Sequence, residues 1–208
     1  KDRNFEYIGF KEFTEIMKGL RAMNDQVKYC CDTTDRLNRL NRKKAKLHNV
    51  HCNANHVIRE SVKMLKHSLE VSGATLTLNL NPGLPQSAIN ALDFRQVFSN
   101  VLTNAIQSLP GQGGTIKVRT ALLKNQKMIR VDCQDDGVGI PKELLPKVFD
   151  PFFTTKLRGI EKRSGLGLYI VYSTVKSYKG EIAIKSDHRK GTTVTMLLPV
   201  YNISGKKS

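Results

Sequence analysis

From about Lys11 to Lys46 the chain has no proline, and Ile16, Leu20, Met23, Val27, Cys30, Thr34 and Leu37 recur at alternating steps of four and three. Such steps place side chains along one seam of an α-helix, so the pattern predicts a long helix with another helix against it. Left alone the seam would be wet, which implies a bundle, most simply with a second copy of the chain. A long helix packed on its own domain is the alternative. Gly19 weakens such a helix by about 1 kcal/mol relative to alanine without ending it.

The rhythm stops near His48 to Cys52, where a short strand centred on Val50 is expected. Asn53 then caps a helix running to about Leu69. Alternation from Thr75 to Leu80 predicts a strand, and Asn81-Pro82-Gly83 turns it. Asp93 to Leu109 reads as a helix with one buried face, closed by Pro110 and the GQGG turn. Strands over Thr115 to Leu123 and Met128 to Asp135 form a hairpin around Lys124-Asn125-Gln126, and a short helix is expected after Pro141. A loop from Phe152 to Ser164 precedes a helix from Leu166 to Tyr178, and strands over Glu181 to Ser186 and Thr192 to Leu198 finish the domain. Mixed strands and helices with hairpins predict an α+β fold, an α/β sandwich with helices on one sheet face. The domains expected are 1–48 for the bundle helix, 49–201 for the sandwich and 202–208 for a tail.

Composition adds a few limits. With 208 residues and 39% hydrophobic content the chain can build a packed core. No apolar run approaches the roughly 18 residues of a membrane span. The chain begins at Lys1 with neither a leader nor a methionine, which reads as a piece of something longer. Cys30, Cys31, Cys52 and Cys133 lack CxxC spacing, so neither zinc nor a disulfide framework is suggested, and a cytoplasmic location is expected. The net charge of +16 raises polyanionic partners. Only Arg39, Arg42, Lys43, Lys44 and Lys46 cluster, without interleaved aromatics, so a solvated basic face is preferred and no nucleic-acid partner is expected.

Chemistry concentrates in three places. Asp135 ends an apolar strand and opens Asp135-Asp136-Gly137-Val138-Gly139-Ile140. An ionised carboxylate only accepts hydrogen bonds, so it suits an exocyclic amine, while glycines let backbone approach a flat ring. Aspartate-glycine pairs are also ordinary turns. Gly165-Leu166-Gly167-Leu168 opens a helix whose free N–H groups suit phosphate oxygens. The loop before it brings Lys156, Arg158, Lys162 and Arg163, with Thr154, Thr155 and Ser164 as hydroxyl donors; a solvated loop has the same composition. Asn100 and Asn104 stand one turn apart on one helix face. Amides there need partners if buried, whether by capping or between helices, and an amide oxygen also suits Mg²⁺.

Taken in order, QVFSNVLTNAIQSL, DDGVGI, FDPFFTTK, SGLGLYIV and GTTVTMLLP resemble the catalytic ATP-binding domain of sensor histidine kinases over about Val50 to Pro199. The NAIQSLP and FDPFFTTK wording resembles the nitrogen-regulation subgroup. The resemblance implies a Bergerat-type sandwich, a mixed sheet covered by helices on one face and preceded by a dimerisation-bundle helix, with ATP and Mg²⁺ as cofactors. On it, Asp135 would bind the adenine amine, Thr192 would support the water beside the ring, and Asn104 would ligate Mg²⁺. Gly137 and Gly139 would shape the base pocket, with Ile140 among the nucleotide contacts. The lid, Phe152 to Ser164, would contribute Phe152, Thr154, Lys156 and Ser164, and Gly165, Leu166, Gly167 and Leu168 would meet the phosphates. Gln107 stands where many relatives carry a phosphate-reaching lysine, and Arg163 replaces the first glycine of the second glycine box. Phosphate neutralisation then falls to Lys156 and the lid arginines.

The resemblance extends to hydrolases of the same fold, in which a glutamate one turn before the magnesium asparagine activates water. Here that residue is Asn100, which is no general base at neutral pH. A kinase needs no such base, because an imidazole attacks the γ-phosphorus and the protein positions charge. Asn100 and Lys156 are therefore the residues assigned to the transfer step. His56-Val-Ile-Arg-Glu-Ser echoes the family's phosphoacceptor box but lacks its glutamate and proline, so the acceptor is expected upstream of Lys1. The implied partners are a second copy, through the long helix, and a response regulator receiver domain. A degenerate kinase serving as a nucleotide-binding or dimer-interaction module and a Bergerat-fold ATPase are the competing readings.

Overall fold

The computed structural model describes Met17 and residues 51–111, 113–154 and 165–201. The chain divides into two compact units, Lys1–Ala45 and Lys46–Ser208, and the elements described belong to the second. Apart from Met17, which is helical, the expected Lys11 to Lys46 helix, its dimer seam and the Val50 strand lie outside the described residues, as do residues 155–164 of the expected Phe152 to Ser164 lid. The nearest feature to that strand is a single antiparallel bridge between Cys52 and Ser87.

Asn53 starts α1 (Ala54–Met64) by accepting the His56 amide on its side-chain oxygen at 3.0 Å. The helix expected to reach Leu69 breaks at Leu65, whose φ of −98° and ψ of 9° leave helical geometry, and α2 (Lys66–Val71) resumes after it. β1 (Ala74–Leu80) follows. α3 (Ala91–Ser108) opens two residues earlier than the sequence suggests, because Asn90 caps it through the Leu92 amide at 2.8 Å. It closes at Ser108, since Leu109 precedes Pro110 and is held extended. β2 (Gly114–Leu123) and β3 (Met128–Asp135) form the expected hairpin, turned by a short 3-10 segment at Lys124–Gln126. The helix expected after Pro141 is absent among the described residues. A single 3-10 turn, Leu145–Lys147, stands there instead, because Pro146 has no amide to extend a helical ladder. α4 (Gly167–Ser177), β4 (Glu181–Asp187) and β5 (Gly191–Pro199) complete the order.

The five strands form one mixed sheet in the order β1-β2-β3-β5-β4, with β1 and β2 parallel and the other pairs antiparallel. Alternating burial along β3 sends Ile129, Val131, Cys133 and Asp135 to the covered face and leaves Arg130 and Gln134 exposed. The cover is centred on α3, which packs against α1, α4 and the sheet. Its inward stripe, Phe94, Val97, Phe98, Val101, Leu102 and Ala105, is almost wholly removed from water. Burying each of the large members is worth roughly 1.5–3 kcal/mol, so α3 anchors the domain. A buried polar cluster ties α1 to the sheet. Thr120 donates to Asn55 Oδ1 at 3.0 Å, the Asn55 amide donates to the Asn81 carbonyl at 2.6 Å, and the Asn81 N–H donates to Thr120 Oγ1 at 2.9 Å.

Candidate functional site

Register across the sheet brings one row of residues to the end of β3. Ile116 of β2 faces Asp135, Asp135 faces Thr192 of β5, and Thr192 faces Ser186 of β4. The C-terminal turn of α3 lies over this row. Asp135 is buried, 6% exposed, and its Oδ1 accepts from the Ser108 hydroxyl at 2.9 Å and the Gly137 amide at 3.0 Å. Burial pushes its carboxyl above the ordinary aspartate range, while the Ser108, Gly137 and Thr192 donors pull the other way. The neighbouring Asp136 is exposed and does different work, because its Oδ1 accepts the Thr115 amide at 2.7 Å and fastens the turn to β2. Of the two adjacent aspartates, only the first faces the covered side of the sheet.

The turn after Asp135 passes close to its neighbours. Gly139 has φ of +65°, and a Cβ there would overlap the Asp187 carbonyl, so both its conformation and its clearance require glycine. Ile140 donates its amide to Ser186 Oγ at 2.8 Å. Ser186 in turn reaches the Gly191 carbonyl and the Thr192 hydroxyl, each at 2.9 Å. Ser186 thus joins the glycine turn to the strand that carries Thr192. Sequence reading missed both Ser108 and Ser186. Ser108 had a signal, since it continues the Asn100, Asn104 spacing by one more turn on the same helix face; Ser186 is a serine in an alternating strand and had none.

At the other end of the stripe, the Asn100 amide donates to the Gly167 carbonyl at 3.4 Å, linking α3 to the first residue of α4. Asn104 is half-buried and makes no side-chain hydrogen bond to a described residue, so its amide is open to a ligand. Among the described residues no group of three or more His, Cys, Asp or Glu could hold a metal ion by itself. A single amide oxygen suits Mg²⁺ that arrives with phosphate oxygens and keeps its waters, so the donor set fits that ion and no protein-only cage. Gln107 lies on the same helix, half-buried and engaged by other groups.

Phe152 and Gly165, on either side of residues 155–164, lie together. Phe152 is 64% exposed with φ of +66°, and Gly165, at φ of +63°, lies so close to the Phe152 backbone that a Cβ would overlap it. Leu166 is buried and leads into α4, with Gly167 and Leu168 in its first turn. Thr154 is half-buried at the near end. Lys156 and Ser164, assigned to phosphate contacts, lie outside the described residues. His56 is exposed in the first turn of α1, and the cap there uses its backbone amide.

Residues 89–202 match the family described as "Histidine kinase-, DNA gyrase B-, and HSP90-like ATPase". Sporulation kinase E of Bacillus subtilis is 33% identical over 144 residues, 69% of this chain. Sensor histidine kinase ZraS of Escherichia coli is 33% identical over 152 residues, 73% of this chain. The chain spans less than a third of the length of these relatives, 19% and 31% respectively. The solved catalytic domain of histidine kinase ThkA superposes with a TM-score of 0.64 at 25% identity, over 74% of this chain and 96% of that one. The mixed five-stranded sheet, its helical cover and the matched span agree: the chain belongs to the histidine kinase-, DNA gyrase B- and HSP90-like ATPase family and holds a histidine kinase catalytic domain.

Proposed function

We propose that the chain is the Mg·ATP-binding part of a two-component sensor histidine kinase of the nitrogen-regulation type. It passes the γ-phosphoryl group to a histidine on a separate phosphoacceptor helix, and a response regulator receiver domain takes it from there. In this reading residues 1–48 supply a dimerisation helix and 49–201 the catalytic domain. Asp135 accepts the adenine amine on a carboxylate steadied by Ser108 and Gly137, and Thr192 supports the water beside the ring. Gly137, Gly139 and Ile140 shape the base site, while Gly165 to Leu168 offer backbone amides to the phosphates. Asn104 would hold Mg²⁺, whose chemistry when bound is to neutralise phosphate charge. Lys156 and the lid arginines add to that neutralisation.

The observation that carries the kinase reading is Asn100. It occupies the helix position where a hydrolase of this family has its glutamate, and it spends its amide on the Gly167 carbonyl. It has no basic group to take a proton from water. In the transfer, a new bond forms between imidazole nitrogen and γ-phosphorus as the bond to the bridging oxygen breaks. ADP leaves with that electron pair, and the imidazole proton passes to solvent.

The test supplies the chain with γ-labelled Mg·ATP and a separate, folded helical hairpin bearing the phosphoacceptor histidine of a relative. Acid-labile label on the hairpin is the expected result. No label on a folded hairpin, with ADP still bound tightly, rejects the transfer and leaves a nucleotide-binding module. Steady phosphate release abolished by Asn104→Ala would identify a hydrolase instead.

A further inference from the structure

Ser108 belongs to none of the glycine motifs, yet it touches the one buried carboxylate of the site. We propose that Ser108 is a positioning residue that makes the pocket selective for a purine bearing an exocyclic amine, by occupying Asp135 Oδ1 so that Oδ2 is presented to the ligand. The inference rests on the reading of Asp135 as the base-recognising carboxylate and adds the residue that aims it.

Three contacts support it. The Ser108 hydroxyl lies 2.9 Å from Asp135 Oδ1 and 2.8 Å from the Ala105 carbonyl. Its single hydrogen has two acceptors, and an ionised carboxylate is the stronger. The Ser108 carbonyl accepts the Val138 amide at 2.9 Å, so the end of α3 is fixed to the glycine turn by backbone as well. Gly137 packs so closely that a Cβ there would overlap Ser108 Oγ and its carbonyl, which confines the serine side chain.

The orientation matters because rotation about the last side-chain bond of aspartate is loosely restrained. Two donors on Oδ1, one from α3 and one from the turn, set the carboxylate plane together with the Thr192 backbone amide of β5. An amine facing Oδ2 then completes a charge-assisted hydrogen bond, whereas a carbonyl oxygen at the same place on the ring meets oxygen and repels. The charge that acts on Asp135 is that of Asp136, which accepts the Thr115 amide and adds to the upward push of burial; the Cys133 thiol on the same strand is pushed up to about 12 by burial and stays neutral. The facing residues on β2, β5 and α3 are Ile116, Thr192 and Ser108, all uncharged.

The experiment measures binding of ADP and of inosine diphosphate, which has a ring carbonyl in place of the amine, to the 208-residue chain by calorimetry across a pH series. Ser108→Ala is expected to weaken ADP about tenfold with little change for inosine diphosphate, and to move the acid midpoint of ADP binding up by about one unit. Ser108→Thr, which keeps the hydroxyl, is expected to restore both. If Ser108→Ala does not fold, Ser108→Cys keeps the shape with a weak donor and is expected to show the same losses. An unchanged ratio of the two affinities with an unmoved midpoint overturns the proposal, as does an equal loss for both ligands, which is what a merely structural role gives. Undiminished ADP binding by Asp135→Asn overturns the base-site reading itself.

Discussion

Replacing Asp135 with asparagine separates what the site does from what the fold prefers. The side chain is 6% exposed and keeps its shape in the variant, and Asn Oδ1 can still accept from Ser108 and Gly137. What changes is the second atom, where an NH₂ donor now faces the proposed adenine amine, donor against donor. Loss of a hydrogen bond to a charged acceptor costs about 1.5–3 kcal/mol, so ADP should bind roughly 10- to 150-fold more weakly. Stability moves the other way. Burial raises the Asp135 pKa above its unfolded value, so its contribution to stability is fully present below the unfolded pKa and is lost as pH rises through the folded one. At neutral pH the wild-type fold therefore carries a carboxylate it disfavours, and the neutral asparagine relieves that. Calorimetric titration with ADP beside thermal melts at neutral pH reads both effects, with weaker binding and an equal or higher melting temperature as the expected pair. A variant that binds ADP like the parent, or one that melts lower and loses binding only through unfolding, refutes the reasoning.

If ionised Asp135 accepts the adenine amine as proposed, ADP affinity of the parent should be level near neutrality and fall on acidification, with a midpoint above the ordinary aspartate value; titrations from about pH 4 to 8 check this, and the Asp135→Asn curve should be flat. Gly139→Ala should lose nucleotide binding and melt lower, since a side chain there meets both a left-handed φ and the Asp187 carbonyl. Gly167→Ala, with nothing near its added carbon, should fold as the parent does and serves as the paired control in the same melts. Thr120→Val removes the hydroxyl that bridges Asn55 and Asn81, leaving a buried amide short of a partner, and should lower stability by about 1–3 kcal/mol in urea denaturation, with ADP affinity kept in the folded fraction.

Much of the sandwich was legible because its signals are local. The β2–β3 hairpin follows from alternation on either side of a polar turn, and α3 follows from an apolar stripe closed by a proline, although its Asn90 cap was overlooked. Where the sequence misled, a local rule was outweighed or overlooked. Pro146 stopped a helix that Pro141 seemed to start, and Leu65 interrupted a continuous apolar rhythm. Asp135 was singled out from the sequence as the end of an apolar strand, whereas the separate task of Asp136 was not legible. That task comes from the neighbouring β2, whose Thr115 amide engages Asp136. Ser186 was invisible for the same reason, since its three partners come from the glycine turn and from β5.

The polar stripe of α3 explains why one helix can serve both ends of the proposed nucleotide. Asn100, Asn104 and Ser108 recur at every fourth position, so the stripe runs for about 12 Å along the helix axis. Its C-terminal end is fixed to the base side, through Ser108 and Asp135, and its N-terminal end to the phosphate side, through Asn100 and the Gly167 carbonyl. Asn104 lies between, the one of the two asparagines whose side chain makes no hydrogen bond to a described residue. The rest of the helix is held rigid by Phe94, Phe98, Leu102 and their neighbours in the core. The spacing between carboxylate and glycine box is therefore set by helix geometry, and the lid need not preserve it. Arg163, in the segment after Phe152, therefore stands apart in sequence from the edge that α3 holds in place.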